Sequence, residues 1–100
     1  MRVRADMVNG LDICHGGLIF TLADTAFAFA CNAYNRLAVA ASANIDFLRP
    51  ALVGDTLVAT ATEEHRGGRS GLYSVEVCND AGERVALFRG RSSSRGEALV

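Results

Sequence analysis

The first residues of the chain alternate between charged and apolar side chains. Over residues 2–8, the apolar residues Val3, Ala5 and Met7 are separated by charged ones. This period of two is typical of a half-buried strand. We therefore predict a strand that already includes the first residues of the chain.

Residues 18–33 form the longest apolar stretch. The stretch is rich in Ala and Leu and contains no Gly or Pro, so it predicts a helix of about four turns. Because it is apolar on nearly every side, we expect other elements to surround it. It contains Asp24 and Asn32 and is shorter than the roughly 20 residues of a membrane span, which indicates a core helix.

The rest of the chain alternates between strand-like segments and turn signals. We predict strands over residues 37–48, 55–65, 72–78 and 85–92, separated by Arg49-Pro50, Gly67-Gly68 and the turn at 79–82, with a Ser- and Gly-rich tail at the end. Hairpin turns join the last three strands, so these strands should pair antiparallel. One helix and one sheet predict an α+β fold in which the sheet curls around the helix.

Length and charge narrow the class of protein. The chain has 100 residues, so we expect one domain, residues 1–100, with a single core. Its net charge is −1, and nothing in that balance favours nucleic acid or an anionic membrane as a partner. Residues 1–10 lack the apolar segment of a signal peptide.

The cysteine pattern indicates neither a metal site nor a disulfide framework. Cys14, Cys31 and Cys78 are odd in number and far apart, without the paired spacing of a zinc site or a redox dithiol. We therefore expect a reduced, cytoplasmic setting.

A single carboxylate, Asp24, interrupts the apolar helix. An ionised group among apolar side chains is costly unless it is compensated. Two interpretations stay open from the residue alone: a structural carboxylate paired with an Arg or a backbone group, and a catalytic carboxylate. Asp is a poor helix former, which favours a functional reason for its presence.

The tripeptide His15-Gly16-Gly17 comes directly before the predicted helix. Glycines at a helix N-terminus leave outward-pointing N–H groups, reinforced by the helix dipole, that can hold a developing oxyanion. Asn9 and His15 flank the same turn, and each could be structural or functional. A Cys14 thiolate nucleophile is less favoured than Asp24, because no third group to orient it is evident.

Helix geometry adds a constraint on how Gly16 and Asp24 could act together. Eight residues separate them, which is about 12 Å along one helix, whereas groups that act on one carbonyl lie about 3 Å from it. If both are catalytic, one must come from a second copy of the chain, and a two-fold axis would then create two identical sites.

The motifs N-x5-HGGLIFTLADTAFAFACN, ASANIDFLRPALVGDTLVATA and VALFRGRS resemble those of the hot-dog-fold acyl-CoA thioesterases of the phenylacetate-degradation (PaaI) type. The resemblance covers nearly the whole chain. It implies a long central helix wrapped by an antiparallel sheet, homodimers that pair edge to edge, and often dimers of dimers. Family members usually have a further N-terminal helix, so we expect this chain to begin inside their first strand.

The resemblance also implies an activity and its residues. The expected reaction is hydrolysis of an acyl-CoA, including a phenylacetyl or hydroxyphenylacetyl thioester, with Asp24 as base or nucleophile. The Gly16 N–H would polarise the carbonyl in the partner's site, and Asn9 and His15 would position that carbonyl or the attacking water. Expected substrate contacts are Gly17, Ser42, Arg66, Arg69, Arg89, Gly90 and Arg91, with the arginines near the CoA phosphates. No metal or cofactor is expected.

Two rival functions remain. A non-catalytic acyl-CoA-binding or regulatory module could share the fold, although the carboxylate on the helix speaks against it. A hot-dog dehydratase would usually carry a Phe- and Pro-rich loop after its His, and no such loop follows His15.

Overall fold

One long helix lies against a single antiparallel sheet in the computed structural model, which describes residues 1–33 and 36–98. The helix α1 covers Gly16–Cys31, and the strands are β1 (Arg36–Phe47), β2 (Val58–Gly67), β3 (Ser70–Cys78) and β4 (Arg84–Ala98). The helix contacts all four strands. The predicted α+β architecture of one helix on one antiparallel sheet is therefore confirmed.

The predicted first strand over residues 2–8 is wrong. Arg2 makes only an isolated bridge, with Thr56, and a single 3-10 turn follows at Ala5–Met7. The Met7 N–H donates to the Arg4 carbonyl at 3.0 Å. Val3 and Met7 are buried but Ala5 is exposed, so the alternation in the sequence does not correspond to alternation between two faces.

The helix begins two residues before the predicted range, at Gly16, and ends at Cys31. Its buried residues recur every four positions and form one stripe: Ile19, Ala23, Phe27 and Cys31. The Phe27 ring meets Tyr73 and Phe88 at centroid distances of 5.7 and 5.6 Å. On the opposite side Phe29 is 76% exposed, so within one chain the sheet covers only one face of this apolar helix.

The sheet has the order β1-β4-β3-β2. The pairs β2–β3 and β3–β4 are antiparallel hairpins, as predicted, and β1 pairs antiparallel with β4. Among the four described strands, β1 and β2 are thus the edges. The predicted strand over 55–65 begins only at Val58, because residues 55–57 bond instead with the start of the chain, as between the Val3 N–H and the Asp55 carbonyl.

The end of the chain differs from the expected polar tail. Strand β4 continues to Ala98 and pairs with β1, with Ser93 opposite Val39 and Ala98 opposite Arg36. The composition of residues 93–98 is typical of a loop, but the edge of a neighbouring strand supplies the backbone partners that make it a strand. Residues 99 and 100 lie outside the described residues.

Candidate active site

The first turn of α1 presents two N–H groups that have no partners among the described residues. The helix begins at Gly16 after His15, whose side chain makes no capping hydrogen bond. The first backbone hydrogen bond of the turn runs from the Leu18 N–H to the His15 carbonyl at 3.1 Å. Within residues 1–33 and 36–98, the Gly16 and Gly17 N–H groups therefore remain available, at the positive end of the helix dipole.

Gly16 is packed against an aromatic ring. A Cβ at this position would lie 2.9 Å from Cζ of Phe47, the last residue of β1, and 3.3 Å from its Cε1. A Cβ at Gly17 would meet nothing within 4 Å. Gly16 thus lets the Phe47 ring approach the helix terminus, whereas Gly17 leaves the neighbouring surface open.

Asn9 holds the loop that leads into the helix. Its Oδ1 accepts hydrogen bonds from the N–H groups of Leu11 (2.9 Å) and Ile13 (3.2 Å). This Asx-type arrangement shapes the turn around Asp12, whose φ of 61° is left-handed. Because the oxygen of the side chain is used in this way, its Nδ2 is the group that can face a ligand.

A cavity of about 440 Å³ adjoins the start of α1. We call it the Gly16 cavity; it is lined by Asn9, Ile13, Cys14, Gly16, Ile19, Phe47, Leu48, Arg49, Pro50 and Ala51. Most of this lining is apolar, and its polar groups are few. Asn9 and Gly16 share the cavity, whereas the exposed His15 borders it in sequence but is not part of the lining.

Asp24 lies on another part of the surface. It is half-buried in the middle of α1 and opens into a shallow groove of about 640 Å³. We call this the Asp24 groove; its other lining residues are Thr25, Ala28, Phe29, Asn32 and Ala33. No salt bridge or hydrogen bond engages the Asp24 carboxylate within the described part of the chain.

The Asp24 groove and the Gly16 cavity share no lining residue. Eight residues at about 100° each place Gly16 and Asp24 about 80° apart around the helix, in addition to about 12 Å along it. A single copy of the chain therefore does not present the two groups to one small substrate.

The family is decided by sequence similarity. Residues 11–86 match the family described as the thioesterase superfamily. The chain belongs to the thioesterase superfamily.

This thioesterase is similar over its whole length to a relative in Escherichia coli. It is 53% identical to acyl-coenzyme A thioesterase PaaI of Escherichia coli (strain K12) over 100 residues, which are 71% of that protein. The structure of the E. coli PaaI protein from the phenylacetic acid degradation operon matches with a TM-score of 0.96 and 51% identity, over 100% of this chain and 72% of that one. The predicted hot-dog fold and PaaI-type acyl-CoA thioesterase class are confirmed.

A third relative is a Streptococcus mutans protein whose structure was solved bound to acetyl CoA. It shares 26% identity with the thioesterase and matches with a TM-score of 0.92, over 98% of this chain and 79% of that one. This relative of the thioesterase thus binds a CoA thioester.

The predicted substrate contacts on β4 lie on both faces of the sheet. Arg89 and Arg91 are exposed, and Ser42 of β1 stands opposite Arg91. Gly90, between the two arginines, is buried, and a Cβ there would lie 2.8 to 2.9 Å from three atoms of the Phe27 ring. The structure therefore supplies a packing reason for Gly90, independent of any ligand.

Arg66 and Arg69 lie at the hairpin between β2 and β3. Arg66 forms an exposed ion pair with Glu63 at 3.7 Å, and the Arg69 carbonyl accepts from the Ser94 N–H at 2.6 Å. Both arginines border a small cavity of about 50 Å³ beside Tyr73 and Ser92. They remain apart from the Gly16 cavity and from the Asp24 groove, with which this small cavity shares no residue.

Two of the three cysteines, Cys14 and Cys31, do not have the surroundings of a nucleophile. Cys14 and Cys31 are buried, and burial raises the pKa of both thiols. A raised pKa lowers the thiolate fraction at neutral pH.

Within the described residues, no group of three or more His, Cys, Asp or Glu side chains could hold a metal ion. Within the same residues, no helix combines the length and the apolar character that a membrane span requires.

Sequence reasoning did not identify Phe47 and Arg49 as neighbours of the candidate site. Both belong to the IDFLRP segment, which the sequence marks as the end of a strand, a turn and part of a family motif, without assigning a role to either residue. Arg49 forms an ion pair with Glu83, while Phe47 covers Gly16. The signals in the sequence are this motif and a large aromatic residue at the end of a strand, directly before a turn.

Proposed function

We propose that the protein hydrolyses an acyl-CoA thioester to a free acid and CoA in a site shared by two copies of the chain. Asp24 of one protomer would act on a thioester whose carbonyl oxygen is held by the Gly16 N–H of its partner. The observation that carries this proposal is the Gly16 N–H at the start of α1, which has no partner among the described residues and adjoins a mostly apolar cavity whose lining includes no carboxylate.

The separation of the two surfaces supports a shared site. Because the Gly16 cavity and the Asp24 groove lie on different parts of one chain, a second helix running alongside in the opposite direction would bring the two groups together. The apolar side of α1 that the sheet leaves uncovered, with Phe29 at 76% exposure, and the edge strand β1 offer surface for such a two-fold contact. The proposed assembly is a homodimer, and pairs of dimers would form a homotetramer.

The reaction requires a base and an oxyanion site but no redox step. In one route Asp24 removes a proton from water as the water oxygen bonds to the thioester carbon; in the other, the carboxylate itself attacks that carbon. The C–S bond then breaks, CoA leaves as a thiolate that takes up a proton, and in the second route water hydrolyses the resulting anhydride. A donor such as the Gly16 N–H is worth about 3–4 kcal/mol to the transition state.

The remaining site residues would bind and orient the substrate. Asn9, through Nδ2, and His15 would position the carbonyl or the attacking water, and Gly17 leaves room for them. Ser42 and Gly90 would contact the substrate along β1 and β4. The CoA phosphates would meet the exposed arginines, namely Arg66, Arg69, Arg89 and Arg91. The proposed acyl group is phenylacetyl or hydroxyphenylacetyl, in keeping with the operon of the E. coli relative, and the proposed location is the cytoplasm.

The test is to incubate the purified protein with a panel of acyl-CoA thioesters and a thiol reagent that reports free CoA. For Asp24→Asn we expect kcat to fall by about 10²- to 10⁴-fold. The matched control is Asp80→Asn, which removes an exposed carboxylate in the turn after β3 and should leave kcat unchanged. Equal rates for the wild type and Asp24→Asn would remove Asp24 from the mechanism.

Two further measurements refine the outcome. A single turnover in isotope-labelled water tests the two routes: label in Asp24 indicates an acyl-enzyme anhydride that water opens at the Asp24 carbon, and label only in the product acid excludes that opening and is the result expected of a general base. Tight binding of acyl-CoA without release of thiol by the wild type would instead identify a binding or regulatory module.

A further inference from the structure

The Phe47 ring forms a wall of the Gly16 cavity while much of it remains uncovered. The side chain ends β1 with 53% of its surface exposed. One edge of the ring reaches the helix terminus, so that Cζ would lie 2.9 Å from a Cβ at Gly16. A large aromatic side chain thus stands directly beside the residue whose N–H is proposed to hold the thioester oxygen.

The polarity of the cavity fixes how a thioester would lie in it. Besides the Gly16 backbone, its strongly polar side chains are Asn9 and Arg49, and Arg49 is engaged by Glu83. The carbonyl therefore belongs at the end formed by Asn9 and Gly16. The substituent on that carbonyl then faces apolar side chains, of which Phe47 has the largest exposed surface next to Gly16.

We infer that Phe47 is a specificity-determining residue, whose ring packs against the acyl group and favours acyl groups that carry a ring close to the carbonyl. The inference rests on the proposed function and adds a residue to it. Two aromatic rings in offset or edge-to-face contact gain stabilisation beyond that of buried area alone, which corresponds to about a two- to tenfold preference. A straight acyl chain gains only the buried area.

The experiment compares Phe47→Leu, which keeps an apolar side chain but loses the ring, with Phe47→Tyr, which keeps the ring. Initial rates are measured with phenylacetyl-CoA and butyryl-CoA. For Phe47→Leu, the ratio of kcat/KM for phenylacetyl-CoA to that for butyryl-CoA should fall about fivefold. For Phe47→Tyr the ratio should stay within about twofold of the wild type.

The matched control is Val58→Ala, another exposed apolar residue on a strand, with 57% exposure, that lies outside the Gly16 cavity. It should leave the ratio unchanged. Calorimetric binding of the two non-hydrolysable thioether analogues should reproduce the fivefold change, because it does not depend on turnover.

The outcomes separate this inference from the function on which it rests. Turnover of acyl-CoA by the wild type with an unchanged ratio in Phe47→Leu overturns the role of Phe47 and leaves the hydrolase intact. Analogue binding that still responds to Phe47→Leu, without any turnover, overturns hydrolysis and keeps Phe47 as the selective residue. An unchanged ratio together with loss of the oligomer in light scattering shows that the ring is covered by a second copy instead, which also overturns the inference.

Discussion

Replacing Gly90 by Ala tests whether this residue has a packing role in addition to its proposed contact with the substrate. The new Cβ would lie 2.8 Å from Cζ of Phe27 and 2.9 Å from both of its Cε atoms. These distances are shorter than the contacts that Cβ atoms make with other heavy atoms in proteins. Phe27 is 1% exposed and is held between Tyr73 and Phe88. The ring therefore has no open direction in which to retreat, and either the helix or β4 must shift.

The expected loss follows from overpacking of a rigid core. Extra methyl or methylene groups forced into a well-packed core cost about 1–3 kcal/mol, and the lower entropy of an unfolded chain with Ala in place of Gly returns less than about 1 kcal/mol. The free energy of unfolding should thus fall by about 1–2 kcal/mol. In a domain of this size, that lowers Tm by about 5–15 °C.

The assay is thermal unfolding followed by circular dichroism, with KM for acyl-CoA measured well below Tm. Gly10→Ala is the matched control, because a Cβ at Gly10 meets nothing within 4 Å. The double variant Gly90→Ala/Phe27→Leu should recover part of the lost stability, since the smaller side chain makes room. An unchanged Tm together with a raised KM would refute the packing explanation and assign Gly90 to the ligand.

Two further predictions concern the ion pair near the cavity and the buried thiol in its wall. The hydrogen bond from Asn79 and the charge of Arg49 lower the pKa of the Glu83 carboxyl from its ordinary 4.5. The ionised Glu83 should therefore stabilise the fold slightly above pH 4.5, and this effect should disappear as the pH falls through the lowered folded-state pKa. Tm measured between pH 3 and 7 should show an advantage of the wild type over Glu83→Gln only at the upper end of this pH range. Because burial raises the pKa of the Cys14 thiol, Cys14→Ala should keep kcat within a few fold of the wild type, whereas complete loss of thiol release in a folded variant would make Cys14 the nucleophile.

Local sequence was sufficient for the elements that carry the candidate site. A continuous apolar stretch without Gly or Pro predicts α1 within two residues at each end, and turn residues between apolar segments predict the hairpins of β2, β3 and β4. Because Gly16 and Asp24 lie on the same helix, their separation could also be worked out from helix geometry before any fold was known.

Contacts between distant parts of the chain decided the rest. The alternating segment at residues 2–8 has the pattern of a strand but lacks a long partner, and the polar residues 93–98 have the composition of a tail but pair with β1.

In the same way, Phe47 meets Gly16 and Phe27 meets Gly90 only because the helix packs across the sheet. Backbone propensity acts over a few neighbouring residues and can therefore be predicted from the local sequence. Strand pairing and side-chain contacts depend instead on which distant segments folding brings together.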